Sequence, residues 1–288
     1  MSPNDRLGKA FGEGRHLCVS LDPVREFLPE PLQSRAPLYN RLAAYVMSLV
    51  EATSKYAAIY TLNPGLFEQM GPSGTDVSGR LVIQIRHQYP DAIVIVDRNY
   101  GHYDIAANEA SAEYVYGMLE ADGVTLNPFV GSEALKPFFR ADKLAFVLCC
   151  SPNPGAEEFQ EYWSATYDQL LYEKIASSFG EDHADGCNLG LVLGPKDVAS
   201  LASIRNRAPS LPLIILDNNE YTGGVADIVR NGANETGSGF VVGVSCRKLN
   251  HEARGEDYAE VAGARAKLLN DEIKNAVQSM AEKRSSVV

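Results

Sequence analysis

AIVIVDRNYGHYDIAANEASAEYVYGMLEADGVTLNP, residues 92–128, holds the unit that decides the fold. It opens on the apolar run AIVIVD (92–97), crosses a polar loop, continues in a helical pattern over 106–120 and returns to a second apolar run, GVTLNP (123–128). Aliphatic and β-branched residues fill both faces of the two runs, as in parallel strands buried on both sides. A strand, a crossover helix and a second strand of this kind build a parallel sheet.

Outward from this unit the alternation repeats. Further strand-like runs are LCVSLD (17–22), AAIYTL (57–62), LAFVLCC (144–150), LGLVLG (189–194), LPLIILD (211–217) and GFVVGVS (239–245), eight strands with the first two. Helical patterns occupy 37–55, 76–88, 157–179, 196–207 and 257–283, several opening after Ser, Asp or Pro as helix starts prefer. Eight alternations in 288 residues, with no Ser/Gly linker or break in composition, predict one α/β domain over 1–288. The expected fold is a single TIM-type (β/α)8 barrel with its core at 15–250 and a helical closure at 251–288; 180–188 reads as a surface excursion.

Composition narrows the function. With 45% hydrophobic and 22% charged residues the chain is neither disordered nor a small stapled scaffold. A net charge of −11 removes any general attraction to nucleic acid or to an anionic membrane, so an anionic ligand needs a local basic pocket. Cys18, Cys149, Cys150, Cys187 and Cys246 are odd in number, lie mostly in apolar runs and show no CxxC spacing, which predicts no disulfide framework and a reducing compartment. The start of the chain lacks a signal-peptide apolar run, and no stretch approaches a membrane span, so a soluble cytoplasmic protein is expected. No GxGxxG follows the first strand, against a flavin or nicotinamide cofactor.

In a barrel of this type the chemistry lies at the C-terminal ends of the strands. Those ends carry Asp22, Thr61, Asn63, Asp97, Asn99, His102, Asn127, Ser151, Asn153, Asp217, Asn218, Glu220, Ser245 and Arg247. Any one of them alone reads as a cap or turn residue. Their recurrence at the same end of successive strands marks a site.

Several strand ends resemble the orotidine 5′-monophosphate (OMP) decarboxylase family, in its longer bacterial type. The segments that carry the likeness are LCVSLDP (17–23), NPGLFEQMGPSG (63–74), ADGVTLNPFVGSEALKPF (121–138), CSPNPGAEEFQ (150–160), LGLVLG (189–194) and GFVVGVSCRKL (239–249). The resemblance implies an alternating Lys-Asp-Lys-Asp array, in which a lysine stabilises and protonates the carbanion left by departing CO₂. Aligned on FEQMG, the first lysine falls on Thr61; in DRNYGH (97–102) Asp97 matches, the proton-donating lysine becomes Asn99 and the last aspartate becomes His102. For the substrate, the resemblance places Asp22 on the ribose, Asn127 and the Ser151/Asn153 segment on the base, and Arg247 on the 5′-phosphate. Thr61 and Asn63 line the second strand end. The phosphate loop reads DNNEYTGG (217–224), which keeps Gly223 and Gly224 beside Asn218 but puts Asp217 and Glu220 where neutral residues are expected.

The expectation is a divergent family member acting on a nucleotide, nucleoside or ribose-phosphate-like molecule in specialised nucleoside metabolism. Its chemistry would be of the acid/base, lyase or isomerase type, with the parent decarboxylation lost. Asp97, Asn99, His102 and Glu220 would form the reacting centre, histidine being the side chain type best suited to acid/base work near neutral pH. The alternatives are a catalytically silent pyrimidine-nucleotide-binding or regulatory protein, and a slow residual OMP decarboxylase. No cofactor is expected: Asp97 and Glu220 could offer oxygens to a divalent metal, but Thr61 and Asn63 stand where a matching acidic residue is needed. The resemblance also implies a homodimer with shared active sites, His102 reaching the neighbouring subunit and Tyr100 and Tyr103 packing there.

Overall fold

All eight apolar runs are strands of a closed parallel barrel in the computed structural model, which describes residues 1–33, 35–182, 188–216, 224–251 and 253–285. The strands are β1 (Leu17–Leu21), β2 (Ala57–Leu62), β3 (Ile93–Tyr100), β4 (Gly123–Leu126), β5 (Leu144–Cys150), β6 (Leu189–Leu193), β7 (Leu213–Leu216) and β8 (Phe240–Ser245). Their order around the ring is β1-β8-β7-β6-β5-β4-β3-β2. Strand β3 runs three residues beyond its predicted end at Asp97, which carries Asn99 on the strand itself.

Contacts divide the chain into two compact units, one of 1–98, 110–124 and 243–271, the other of 99–109, 125–242 and 272–288. In the first, β1 pairs with β2 so that Ser20 faces Thr61, and β2 with β3 so that Thr61 faces Ile95. Ile93 to Val96 are fully buried, the condition that selects a continuous aliphatic run over an alternating one. Each such side chain contributes about 1.5–3 kcal/mol relative to exposure. In the second unit β5 pairs with β6 and β6 with β7. Gly190 on β6 is required by close approach: a Cβ there would lie 2.5 Å from the Phe146 ring and 2.7 Å from the Pro212 carbonyl oxygen.

Helix boundaries depart from the sequence reading in three places. The pattern at 157–179 is not one helix: a 3-10 turn (Pro154–Glu158) and a short antiparallel hairpin, Trp163–Ser164 with Gln169–Leu170, precede the helix Leu171–Asp182. Asp168 takes a left-handed conformation (φ 52°) in this hairpin, and the Gln160 side chain is drawn back onto Ser151, so a helix cannot run through. The helix expected from 76 begins at Pro72, with proline at the first turn where its missing N–H costs nothing. The helix at 106–120 is an α-helix only over Ile105–Ala112 and a π-turn over Glu113–Met118. An unpredicted helix, Pro3–Gly12, is started by a capping box between Ser2 and Asp5.

The segment 183–187 within the expected excursion lies outside the described residues, as does Cys187. Cys18, Cys149, Cys150 and Cys246 are buried free thiols. No helix among the described residues is long and apolar enough to cross a membrane.

Helix Val198–Arg207 yields a first prediction. Asp197 caps it, accepting from the Ser200 N–H at 2.8 Å and the Ser200 hydroxyl at 2.8 Å. The backbone hydrogen bond, then the hydroxyl, hold the Asp197 carboxyl below its usual value. A folded-state pKa that is depressed gives stability present above the unfolded carboxylate's titration and lost as pH falls through the folded value. Asp197→Ala is expected to cost about 1 kcal/mol at neutral pH and nothing in strong acid, as read from urea melts at both pH values.

Candidate functional site

In the first unit, the C-terminal end of β1 delivers Asp22 into a ring of donors. Ser245 donates its hydroxyl to both carboxylate oxygens at 2.8 and 2.9 Å, and the Cys246 thiol donates at 3.2 Å. Arg247 closes the ring side-on, Nε at 2.9 Å and Nη2 at 2.7 Å. Burial, then the charge of Asp22, push the Cys246 thiol well above its ordinary value, so it stays protonated as a donor. Sequence reasoning gave Asp22 to a ribose and Arg247 to a phosphate; in the structure the two hold each other. The edge of the guanidinium best suited to a two-oxygen anion is therefore occupied, and a phosphate must take the remaining donors or displace Asp22.

Thr61, one residue before the end of β2, is buried and donates to the Ser20 hydroxyl at 3.2 Å. Beneath it Cys18 is fully buried; desolvation, then the negative charge of Asp97, raise its thiol pKa, opposed by a hydrogen bond with Thr61. Thr61, Cys18 and Asp97 thus form one cluster. Asn63 is exposed and accepts the Gly65 N–H at 2.9 Å, a turn-capping role.

In the second unit, Asn99 is exposed in a left-handed conformation (φ 50°), its N–H donating to the buried Thr125 hydroxyl at 2.9 Å. The loop after it is braced from below by the buried Asn108, which accepts from the His102 N–H at 2.9 Å and donates to the His102 carbonyl at 2.8 Å. The His102 side chain is thereby left exposed on a fixed backbone. Tyr100 packs against Phe138 with ring centroids 5.5 Å apart, whereas Tyr103 is 93% exposed. Asn127 accepts the Phe129 N–H at 3.0 Å, capping the turn after β4.

Strand β5 bulges between Leu148 and Cys150 and hands on to Ser151. The Ser151 hydroxyl donates to Asn153 Oδ1 at 2.6 Å and accepts from Gln160 Nε2 at 2.8 Å, while the Ser151 N–H donates to Gln160 Oε1 at 2.8 Å. Ser151 and Asn153 line a cleft of about 310 Å³ whose far wall brings Lys196 within 3.2 Å of Glu161 and 4.0 Å of Glu157. Gly194 makes this approach possible, since a Cβ there would sit 2.5 Å from Pro152. Gln160 and Lys196 were not singled out from the sequence. Gln160 lay within the quoted CSPNPGAEEFQ stretch, but nothing in its spacing reveals that it folds back on Ser151.

Gly224 opens helix Gly224–Gly232 with φ 62°. Asp217, Asn218, Glu220 and Gly223 lie outside the described residues. Among the described residues no group of three or more His, Cys, Asp or Glu could hold a metal ion.

Together these features define an α/β barrel whose strand ends present polar and charged groups of the kind that handle small molecules. The chain is 32% identical over 272 residues to the orotidine 5′-phosphate decarboxylase of Roseiflexus castenholzii, spanning 94% of this chain and 96% of the relative. Against the orotidine 5′-phosphate decarboxylase of Thermomicrobium roseum, 30% identity over 285 residues spans 98% of both. The solved structure of Leishmania donovani OMP decarboxylase matches with a TM-score of 0.79 at 30% identity, covering 96% of this chain and 99% of that one. No family model matches the sequence. The chain belongs to the orotidine 5′-phosphate decarboxylase family.

Proposed function

We propose that the protein binds a pyrimidine nucleotide at the C-terminal strand ends of its barrel and acts on it by acid/base chemistry of the lyase or isomerase type, with efficient OMP decarboxylation lost. The observation that carries this reading is the pair of neutral residues at Thr61 and Asn99, where the family resemblance implies lysines. Thr61 is buried against Ser20, and Asn99 is an exposed amide; neither is a cationic acid that can stabilise and protonate a ring carbanion. Asp97 and His102 then supply the titratable groups, with Glu220 as a second carboxylate. No cofactor enters this chemistry. Asp22 holds Arg247 until a nucleotide exchanges the partners, the ribose taking Asp22 and the phosphate taking Arg247. Exposed Tyr103 and Ile105, just beyond His102, support a homodimer packed on this segment.

A second reading, OMP decarboxylation itself, is favoured by the whole-length likeness to curated decarboxylases. One set of measurements separates the two: release of CO₂ from OMP, and calorimetric titration with UMP and uridine. The first reading expects UMP binding without CO₂ release. It also expects Arg247→Ala to weaken UMP by at least about 30-fold, roughly the loss from removing one partner of a charge pair, and to leave uridine unchanged. CO₂ release that Asp97→Ala abolishes would establish the second reading instead. UMP binding with no turnover of any nucleotide, unaffected by His102→Ala, would make the protein a silent binder. Absence of both UMP binding and CO₂ release would overturn all three.

A further inference from the structure

At the N-terminal ends of β3 and β4, with Ile93 about 13 Å along β3 from Asp97, lies a separate cavity of about 450 Å³. Its wall includes Arg6, Lys9, Arg86, His87, Asp91 and Glu120, none of which the candidate site uses. Behind it sits Asp122, 1% exposed, which accepts from Arg6 Nη2 and Arg86 Nη1 on one oxygen and from the Val94 N–H at 3.0 Å on the other. Two guanidinium charges thus converge on one buried carboxylate, leaving one positive charge in excess. The two other carboxylates of the wall face its outer groups, Asp91 at 2.9 Å from Lys9 and Glu120 at 3.4 Å from His87, and Lys9 stays 38% exposed at the rim.

The donor inventory points the same way. Arg6 is 5% exposed and gives its Nη1 to the carbonyls of Pro90 and Ala92 at 3.2 and 2.7 Å, yet its Nε has no hydrogen-bond partner. The Nε of Arg86 is likewise buried and unpartnered. Such orphaned donors are rare and costly in a folded interior. Arg86 holds Asp122 through Nη1 alone, so its Nε–Nη2 edge is the one left for another acceptor. That is the edge with which Arg247 grips Asp22 in this same chain. Arg86 lines the cavity and is 26% exposed, so a small anion reaches its side chain from there.

We infer that this cavity is a second ligand site, for a phosphate group held by Arg86 with Lys9 at its rim and the Arg6 charge behind. A tetrahedral oxyanion supplies several acceptor oxygens to the open edge of Arg86, beside a cluster in which two guanidinium groups share one carboxylate, in a volume the cavity accommodates. The group arrives either as inorganic phosphate or as a phosphate monoester.

The test uses the full-length chain carrying Arg247→Ala, which removes the guanidinium at the other end of the barrel. Calorimetric titration with inorganic phosphate, and separately with methyl phosphate, is expected to show one bound ligand per chain; the tighter of the two names the source. Adding Arg86→Gln is expected to weaken binding at least tenfold, or about 1.4 kcal/mol. Lys9→Gln, which leaves the Asp122 cluster untouched and guards against misfolding of the first variant, is expected to weaken it several-fold. Absence of binding up to about 10 mM of either compound, well above a 1 mM dissociation constant, overturns the inference. Binding unchanged by Lys9→Gln and Arg86→Gln overturns it equally.

Discussion

Arg205→Met is expected to lower the unfolding free energy by about 4 kcal/mol, near the upper end of what single substitutions cost. Arg205 is 7% exposed and has no carboxylate partner among its hydrogen bonds. Its guanidinium donates instead to five backbone carbonyls: Gly232 through Nε and Nη2 at 2.9 and 2.7 Å, Gly239 at 2.8 Å, and Ala208, Pro209 and Leu211 at 2.9, 3.2 and 2.8 Å. Ala208 ends helix Val198–Arg207 and Gly232 ends helix Gly224–Gly232, so one cation satisfies the exits of two helices and the turns that lead into β7 and β8. Desolvation pushes its pKa down to about 10, which still leaves it charged at neutral pH. Methionine fills part of the volume but leaves several buried acceptors unpaired, each costing roughly 1–3 kcal/mol. Arg205→Lys is expected to fall between, because three donors on one atom cannot reach carbonyls on opposite sides of a planar fork. Chemical melts of the three proteins check this; a methionine variant within about 0.5 kcal/mol of wild type, the ordinary surface range, would sink it.

Asp122→Asn is expected to cost about 3–5 kcal/mol, the usual penalty for removing one partner of a buried charge pair. The neutral amide preserves the shape but leaves Arg6 and Arg86 facing each other without a carboxylate between them. Surface pairs such as Lys267–Asp271, with side chains 56% and 45% exposed, are screened by solvent and serve as the control through Asp271→Asn. The double variant Asp122→Asn with Arg86→Gln is expected to recover part of the loss by removing one repelling charge, a coupling that a double-mutant cycle in urea measures. Additive effects would mean that the two groups do not interact in solution.

Both residues show where the sequence stops being readable. Arg205 and Asp122 look like ordinary polar residues at the end of a helical pattern and before an apolar run. Their roles depend on partners tens of residues away, such as Gly239 for Arg205 and Arg6 for Asp122. The candidate site divides in the same manner. The strand ends can be located from hydrophobic runs alone, which places Asp22, Thr61, Asn127 and Ser151 at them. That Asp22 is already held by Arg247, and Ser151 by Gln160, could not be seen, because rotamers and long-range pairs leave no periodicity in the chain. The helix predicted over 157–179 failed for a related reason: its apolar spacing is helical, but the tertiary pull of Ser151 on Gln160 outweighs a local preference of a few tenths of a kcal/mol per residue.

The sequence by itself determined the eight strands, the barrel they close and the polar groups at their ends, since each rests on a local pattern of apolar runs and the residues that terminate them. The tertiary structure decided which of those groups meet: Asp22 with Arg247 across 225 positions, Thr61 with Ser20 across 41, and two arginines on the buried Asp122. Closing the ring is what sets these distances, and at such distances the charge, burial and hydrogen bonding of a side chain depend on its neighbours in space rather than in sequence.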